Sequence, residues 1–119
     1  MEKDKAKDNV IVSKSFEFAL DIIDLYGELK KNNHYEIAKQ VIRSGTSIGA
    51  NVREAQRAVS KADFVNKIGI SLKEADETKY WFEIIDAKIL PVKNELKIKI
   101  EEIIKILVSI INRIKSNNS

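Results

Sequence analysis

The clearest pattern in the sequence lies in residues 38–59, which read AKQVIRSGTSIGANVREAQRAV. Small and apolar residues recur there at alternating steps of three and four, the spacing of one buried face of a helix. The members of this face are Ala38, Val41, Gly45, Ile48, Val52, Ala55 and Val59. The pattern predicts an amphipathic helix over residues 35–59.

Three further segments, residues 10–31, 61–89 and 92–115, carry the same helical period. Their predicted core faces consist of Phe16, Leu20, Ile23 and Tyr26 in the first segment, Phe64, Ile68, Ser71, Ala75, Thr78, Phe82, Ile85 and Ile89 in the second, and Leu96, Ile100, Ile103, Leu107, Ile110 and Ile114 in the third. Four amphipathic helices with short links predict an all-α, antiparallel up-down-up-down four-helix bundle over residues 10–116.

The ends of the helices also have sequence signals. Ser60, with Asp63 three residues further on, predicts a capped start for the third helix. Pro91 is the only proline, and it predicts a break with the proline in the first turn of the fourth helix. The polar segments 1–9 and 117–119 are expected to be flexible tails.

Composition excludes several classes of protein. The 119 residues fit one domain, and one proline with four glycines is too little turn chemistry for a β-sandwich or barrel. The absence of cysteine excludes disulfides, cysteine nucleophiles and thiolate metal sites. His34 is the only histidine, which excludes sites built on several histidines. We therefore expect no enzymatic activity, cofactor, metal or small-molecule substrate.

The hydropathy pattern shows no stretch long and apolar enough for a transmembrane helix, and residues 1–9 lack the apolar core of a secretory signal. These observations predict a cytoplasmic protein with no membrane partner.

More apolar surface is present than one bundle needs. A helical wheel places Phe18 and Ile22 on a second stripe of the first helix, and Ile70, Trp81 and Ile84 on a second stripe of the third. Aligned apolar residues outside a core are typical of an interface between proteins. The sequence therefore predicts that these five residues are buried between subunits of a homo-oligomer.

The second helix contains two glycines four residues apart, Gly45 and Gly49. A glycine inside a helix costs about 1 kcal/mol relative to alanine, so the pair predicts close approach of another helix. Asn51 and Glu54 follow on a polar line of the same helix. We expect them to form hydrogen bonds across helices and to set their register.

Four cations of the second helix, Lys39, Arg43, Arg53 and Arg57, share one arc of the wheel. They have two interpretations. In the first, the cations are solvated or form ion pairs with the acidic stretch 74–77. In the second, they form a stripe that contacts the phosphates of RNA or DNA, and an oligomer carries several copies of this stripe. The net charge of +3, from 21 basic and 18 acidic residues, leaves both open.

The sequence resembles one known family in four places: residues 43–55, the pair Asp63-Phe64, residues 70–75 and Trp81. It is the four-helix-bundle family of proteins encoded in intervening sequences of bacterial 23S rRNA genes. A related member is the accessory variability protein of diversity-generating retroelements.

The resemblance implies a ring-shaped homopentamer with a basic surface. Ala55 stands where the family usually has glycine, which predicts that the second helix continues to Ser60. Two functions follow as expectations: a non-enzymatic oligomer that binds RNA or DNA, or a structural or protein-interaction ring without affinity for nucleic acid.

Overall fold

The computed structural model describes the backbone of residues 2–117 and the side chains of residues 10–116. Its helices are α1 (Glu2–Lys31), α2 (Tyr35–Ala55), α3 (Lys61–Lys88) and α4 (Asn94–Asn117), and residues 2–117 contain no strand. Helices α1 and α3 each pack against α2 and α4. The predicted all-α four-helix bundle is confirmed.

Neighbouring helices run in opposite directions. As α1 runs from Ser15 to Ile22, the residues that it meets on α2 run backwards, from Gly49 to Gly45. Contacts between α2 and α3, between α3 and α4, and between α4 and α1 show the same opposite order. This order corresponds to the up-down-up-down arrangement of a bundle with short links.

The core of α2 and α4 consists of the residues that the heptad pattern predicts. Buried residues of these two helices are Ala38, Val41, Gly45, Ile48, Val52, Ala55, Leu96, Ile100, Ile103, Leu107, Ile110 and Ile114. Val59 is the exception, because it lies beyond the end of α2 and is 93% exposed. On α3 the predicted face is also the inner one, with its two end residues, Phe64 and Ile89, only half-buried.

Helix α1 turns a different face to the core from the one predicted. Phe16, Leu20 and Ile23 are 49%, 49% and 50% exposed, whereas Phe18 and Ile22 are fully buried. The Phe18 ring packs 6.1 Å from that of Phe82, between ring centroids. Both faces of α1 are apolar, so the fit against neighbouring helices, and not hydropathy, selects the buried one.

The start of α1 differs from the prediction, whereas its end at Lys31 agrees with it. Helix α1 begins at Glu2, where the sequence predicts a tail, because Glu, Lys and Ala in this segment are good helix formers. It ends in a link where Asn33 adopts a φ of 67°, and the His34 N–H donates to the Leu29 carbonyl at 2.9 Å. This left-handed residue with its bond back into the helix is a common helix terminator.

The predicted continuation of α2 to Ser60 is wrong. The helix ends at Ala55, and the N–H of Arg57 donates to the Glu54 carbonyl three residues back at 3.1 Å, as in a tight 3₁₀ turn. Ser60 then caps α3 as expected, since its hydroxyl accepts the Asp63 N–H at 3.0 Å. The short link forces the chain to reverse earlier than the apolar pattern suggests.

Pro91 lies in the link between α3 and α4, three residues before Asn94, so its predicted place in the first turn of the fourth helix is wrong. The link is held by Asp86, whose Oδ1 accepts the Val92 N–H at 2.9 Å. Of the predicted tail 117–119, residues 118 and 119 lie outside the described residues. Within residues 2–117 no helix combines the length and apolarity needed to cross a membrane.

Candidate interaction surfaces

Gly45 and Gly49 lie where α2 contacts α1 most closely. A Cβ atom at Gly45 would be 2.8 Å from Cγ1 of Ile22, and one at Gly49 would be 3.3 Å from the carbonyl oxygen of Ser15. The first distance is too short for any real side chain. The two glycines therefore serve the packing of the bundle itself.

Asn51 and Glu54 on the polar line of α2 are predicted to bond to other helices, and one of the two does so. The side-chain amide of Asn51 donates to the Ser47 carbonyl of its own helix at 2.8 Å, so its bond does not cross to a neighbour. Glu54 does reach another helix, with its carboxylate 3.3 Å from Nζ of Lys67 on α3. Of Asn51 and Glu54, it is therefore Glu54 that joins α2 to α3, through its ion pair with Lys67.

The structure shows a polar contact between α2 and α3 that the sequence interpretation missed. The Thr78 hydroxyl donates to the Ser44 hydroxyl at 2.9 Å, and the Ser71 hydroxyl donates to the Ile48 carbonyl at 2.8 Å. Ser44, Ser71 and Thr78 are all fully buried. Ser71 and Thr78 stand on the predicted core face of α3, and hydroxyls at such positions are the signal that points to bonds of this kind.

Arg43 is bound by acidic residues of α3. Its Nη1 lies 3.2 Å from Glu74 Oε2, its Nη2 contacts Glu77, and the Trp81 indole N–H donates to Glu77 at 3.1 Å. The Glu74 side chain is only 17% exposed. For Arg43, the structure therefore shows pairing with the acidic stretch 74–77.

The other three predicted cations remain on the surface. Nζ of Lys39 lies 3.9 Å from Glu36 on its own helix, and Arg57 is exposed in the turn after α2, with no ion pair among the described residues. The Arg53 guanidinium lies over the Phe16 ring, 5.5 Å from its centroid. Lys39, Arg53 and Arg57 are thus the exposed residues of the arc that, among the described residues, form no ion pair with α3.

Some of the apolar residues at the surface lie in line along a helix and form two stripes, whereas others, such as Ile98 on α4, lie outside them. The α1 stripe consists of Phe16, Leu20 and Ile23. The α3 stripe consists of Ile70, Tyr80, Trp81 and Ile84. Within the α3 stripe Ile70 is 37% exposed, Trp81 and Ile84 are half-buried, and the Tyr80 and Trp81 rings lie 5.4 Å apart.

The predicted oligomer interface needs a correction on α1. Phe18 and Ile22 are fully buried within the single chain, so they have no surface to offer to another subunit. The α1 stripe takes their place on the outside of the bundle. The predicted residues of α3, Ile70, Trp81 and Ile84, do lie at or near the surface.

A small, half-open cavity lies between α1 and the start of α4. It has a volume of about 80 Å³ and is lined by Asp21, Asp24, Glu28, Lys93 and other residues. Ligand pockets usually measure about 300–1,000 Å³. Within the described residues no three His, Cys, Asp or Glu side chains are placed to hold a metal ion, and His34 sits half-buried in front of α2.

The fold and the surface define this chain as a small antiparallel helical bundle that carries apolar stripes and exposed cations on its outside. Residues 7–109 match the family model described as 23S rRNA-intervening sequence protein, and the chain belongs to that family. This confirms the family that the motifs of α2 and α3 indicate.

A solved structure has the same fold. It is the crystal structure of a protein with unknown function from the S23 ribosomal protein family of Bacteroides thetaiotaomicron, 46% identical to this chain. The match covers 89% of this chain and 98% of that one, with a TM-score of 0.83. No curated protein sequence matches the chain.

Proposed function

We propose that this protein is a non-enzymatic homo-oligomer, a ring of five subunits in the cytoplasm, that binds RNA or DNA through exposed cations. The observation that carries the proposal is the α1 stripe. Three large apolar side chains, each about half exposed, stand in line on a helix whose opposite face is fully buried. Water-exposed apolar stripes of this kind are typical of surfaces that a partner covers. The number five comes from the family resemblance.

Binding of nucleic acid is supported by the exposed cations of α2 and its following turn that form no ion pair with another helix. Lys39, Arg53 and Arg57 project from α2 or the turn that follows it. A single chain offers few phosphate contacts and would bind weakly. Several copies in one assembly raise the effective concentration for each later contact on the same strand.

A structural ring without affinity for nucleic acid is the second candidate, and the contacts of Arg43 favour it. Its guanidinium is held by two carboxylates of α3, so one of the four predicted phosphate contacts is already used inside the chain. The net charge of +3 is also modest for a protein that binds a polyanion.

The two candidates are separated by filter binding of the purified full chain to a structured RNA and to duplex DNA, at about 50 and about 200 mM salt. We expect sequence-tolerant binding that weakens with salt, with a log–log slope near 0.7 for each single-strand phosphate neutralised. Absence of binding at the lower salt concentration would leave the structural ring.

Matched double variants locate the contact. The R53Q/R57Q protein and the K93Q/K115Q protein each lose two exposed cations, the first pair at α2 and the second on the α4 side of the bundle. We expect R53Q/R57Q to bind nucleic acid more weakly and with a smaller dependence on salt. K93Q/K115Q should keep the affinity and the salt dependence of the wild type. The reverse result would place the nucleic acid on α4 and contradict the proposed surface.

A further inference from the structure

The α1 stripe and the α3 stripe lie on opposite corners of the bundle. Within residues 2–117, α1 and α3 are diagonal in the bundle: the backbone of each is adjacent only to α2 and α4, and the two helices meet in the core, where Phe18 reaches Phe82. The two stripes therefore face away from each other. No movement of side chains within one chain can cover one stripe with the other, whereas a second copy can present the complementary stripe to each.

We propose that the α1 stripe of one copy packs against the α3 stripe of the next copy. The contact is then heterologous, because two different surfaces of the same chain meet, and each subunit takes part in two such contacts. This pairing deepens the proposed function and rests on the homo-oligomer proposed there. In this contact Leu20 of one copy lies against the α3 stripe of the next copy, and Ile70 lies against the α1 stripe of the copy on its other side.

The positions of the stripes favour a closed ring. Phe16 leans toward α2, where it lines a shallow cavity with Ala50 and Arg53. Trp81 also leans toward α2, because its indole donates to Glu77, which binds Arg43. Since both stripes lean to the same side, the angle between them is less than the 180° of a straight fibre. Heterologous contacts form a ring when the rotation from one subunit to the next closes, and an angle below 180° is the geometry that such closure needs.

The charges beside the stripes are complementary. Glu17 and Asp24 are exposed next to the α1 stripe, and Lys73 is exposed next to the α3 stripe, one helical turn from Ile70. None of the three has an ion-pair partner among the described residues. Opposite charges at the edge of an apolar contact fix its register and disfavour pairing of a stripe with its own copy. Arg53 lies over Phe16 at the α2 edge of the α1 stripe, and Glu17 and Asp24 lie on its other side, where contact with α3 would bring them toward Lys73.

The pairing is tested by mixing two variants, L20E and I70E. Each carries a charge in one stripe and keeps the other stripe intact, so each alone is expected to be a monomer of 13.5 kDa by light scattering. In an equimolar mixture, the intact α1 stripe of I70E can meet the intact α3 stripe of L20E. We expect a heterodimer of twice the single-chain mass, which neither variant forms alone.

Controls keep the experiment decisive. I98E places the same charge on α4, at a residue that is 68% exposed and belongs to neither stripe, and it should keep the wild-type mass. Circular dichroism checks that each variant keeps its helices. I23E and Y80E form a second pair for the same mixing experiment if one of the first variants does not fold.

The outcomes separate this pairing from the proposed function. A wild-type protein that is monomeric would overturn the homo-oligomer and this pairing with it. A wild-type oligomer that persists in L20E or in I70E would overturn the pairing alone. So would a mixture that gives no heterodimer, since the intact α1 stripe of I70E and the intact α3 stripe of L20E would then fail to bind each other.

Discussion

The side chain of Ile22 on α1 occupies the space that any side chain at Gly45 on α2 would need. Both Cγ atoms of Ile22 lie within 2.9 Å of the position of a Cβ at Gly45, and Ile22 is fully buried. A β-branched side chain in a packed core has few rotamers with which to move aside. The register of α1 against α2 therefore depends on the absence of a side chain at residue 45.

The G45A variant is expected to be less stable than wild type by about 1 kcal/mol. Overpacking a core costs roughly 1–3 kcal/mol, whereas alanine in place of glycine within a helix contributes about 1 kcal/mol in the other direction. Chemical denaturation measures the difference. The matched control is G69A on α3, where a Cβ meets nothing within 4 Å and the variant should gain stability. Equal effects at the two positions would contradict the close contact.

Arg43 and Arg57 should differ in what they contribute. We expect R43Q to lower the free energy of unfolding by about 0.5–1 kcal/mol, since the ion pairs with Glu74 and Glu77 are partly exposed to solvent. R57Q should change stability by less than about 0.5 kcal/mol, because it removes no contact within the described residues. For RNA affinity we expect the opposite order, with a larger loss in R57Q than in R43Q. A larger loss in R43Q would show that Glu74 and Glu77 release Arg43 when RNA binds.

Trp81 combines a polar contact within the chain with apolar surface for a neighbour. W81E is expected to dissociate the oligomer, because a charge in an apolar contact costs several kcal/mol. W81F loses the hydrogen bond to Glu77 but keeps the apolar ring, so it should remain assembled. Light scattering on both variants at equal concentration checks this, and an assembled W81E protein would remove Trp81 from the interface.

Acid should weaken the link between α3 and α4 through Asp86. The N–H of Val92 and, to a smaller extent, the Lys97 ammonium hold the pKa of this carboxyl below its ordinary value of 3.8. The ionised form is therefore the one that the fold stabilises. This contribution is complete above the ordinary pKa and is lost as the pH falls through the lower pKa of the folded state.

The corresponding measurement is denaturation of wild type and D86N across the acid range. Wild type should be the more stable protein at neutral pH, and the difference should shrink at acid pH. D76N serves as the control, since Asp76 is exposed and has no ion pair among the described residues. A difference between wild type and D86N that does not depend on pH would contradict the role of the charge.

The candidate surfaces were only partly predictable. The apolar positions Ile70, Trp81 and Ile84 could be recognised because the spacing of three and four residues marks the core face of α3, and these three residues lie outside that face. The partner of Arg43 could not be chosen from spacing alone. Its pairing with Glu74 depends on how closely α2 and α3 approach, and the two helices come close enough for the buried hydroxyls of Ser44 and Thr78 to form a hydrogen bond.

The sequence by itself determined that four helices form and which residues of α2 and α4 are buried, because each of these helices has a single apolar stripe. It could not determine the buried face of α1, whose two stripes are both apolar and would bury similar surface. Tertiary structure made that choice, since Ile22 fits against Gly45 and Phe18 packs against Phe82. The end of α2 was likewise decided by the turn to α3, because a helix must stop where its neighbour requires the chain to reverse.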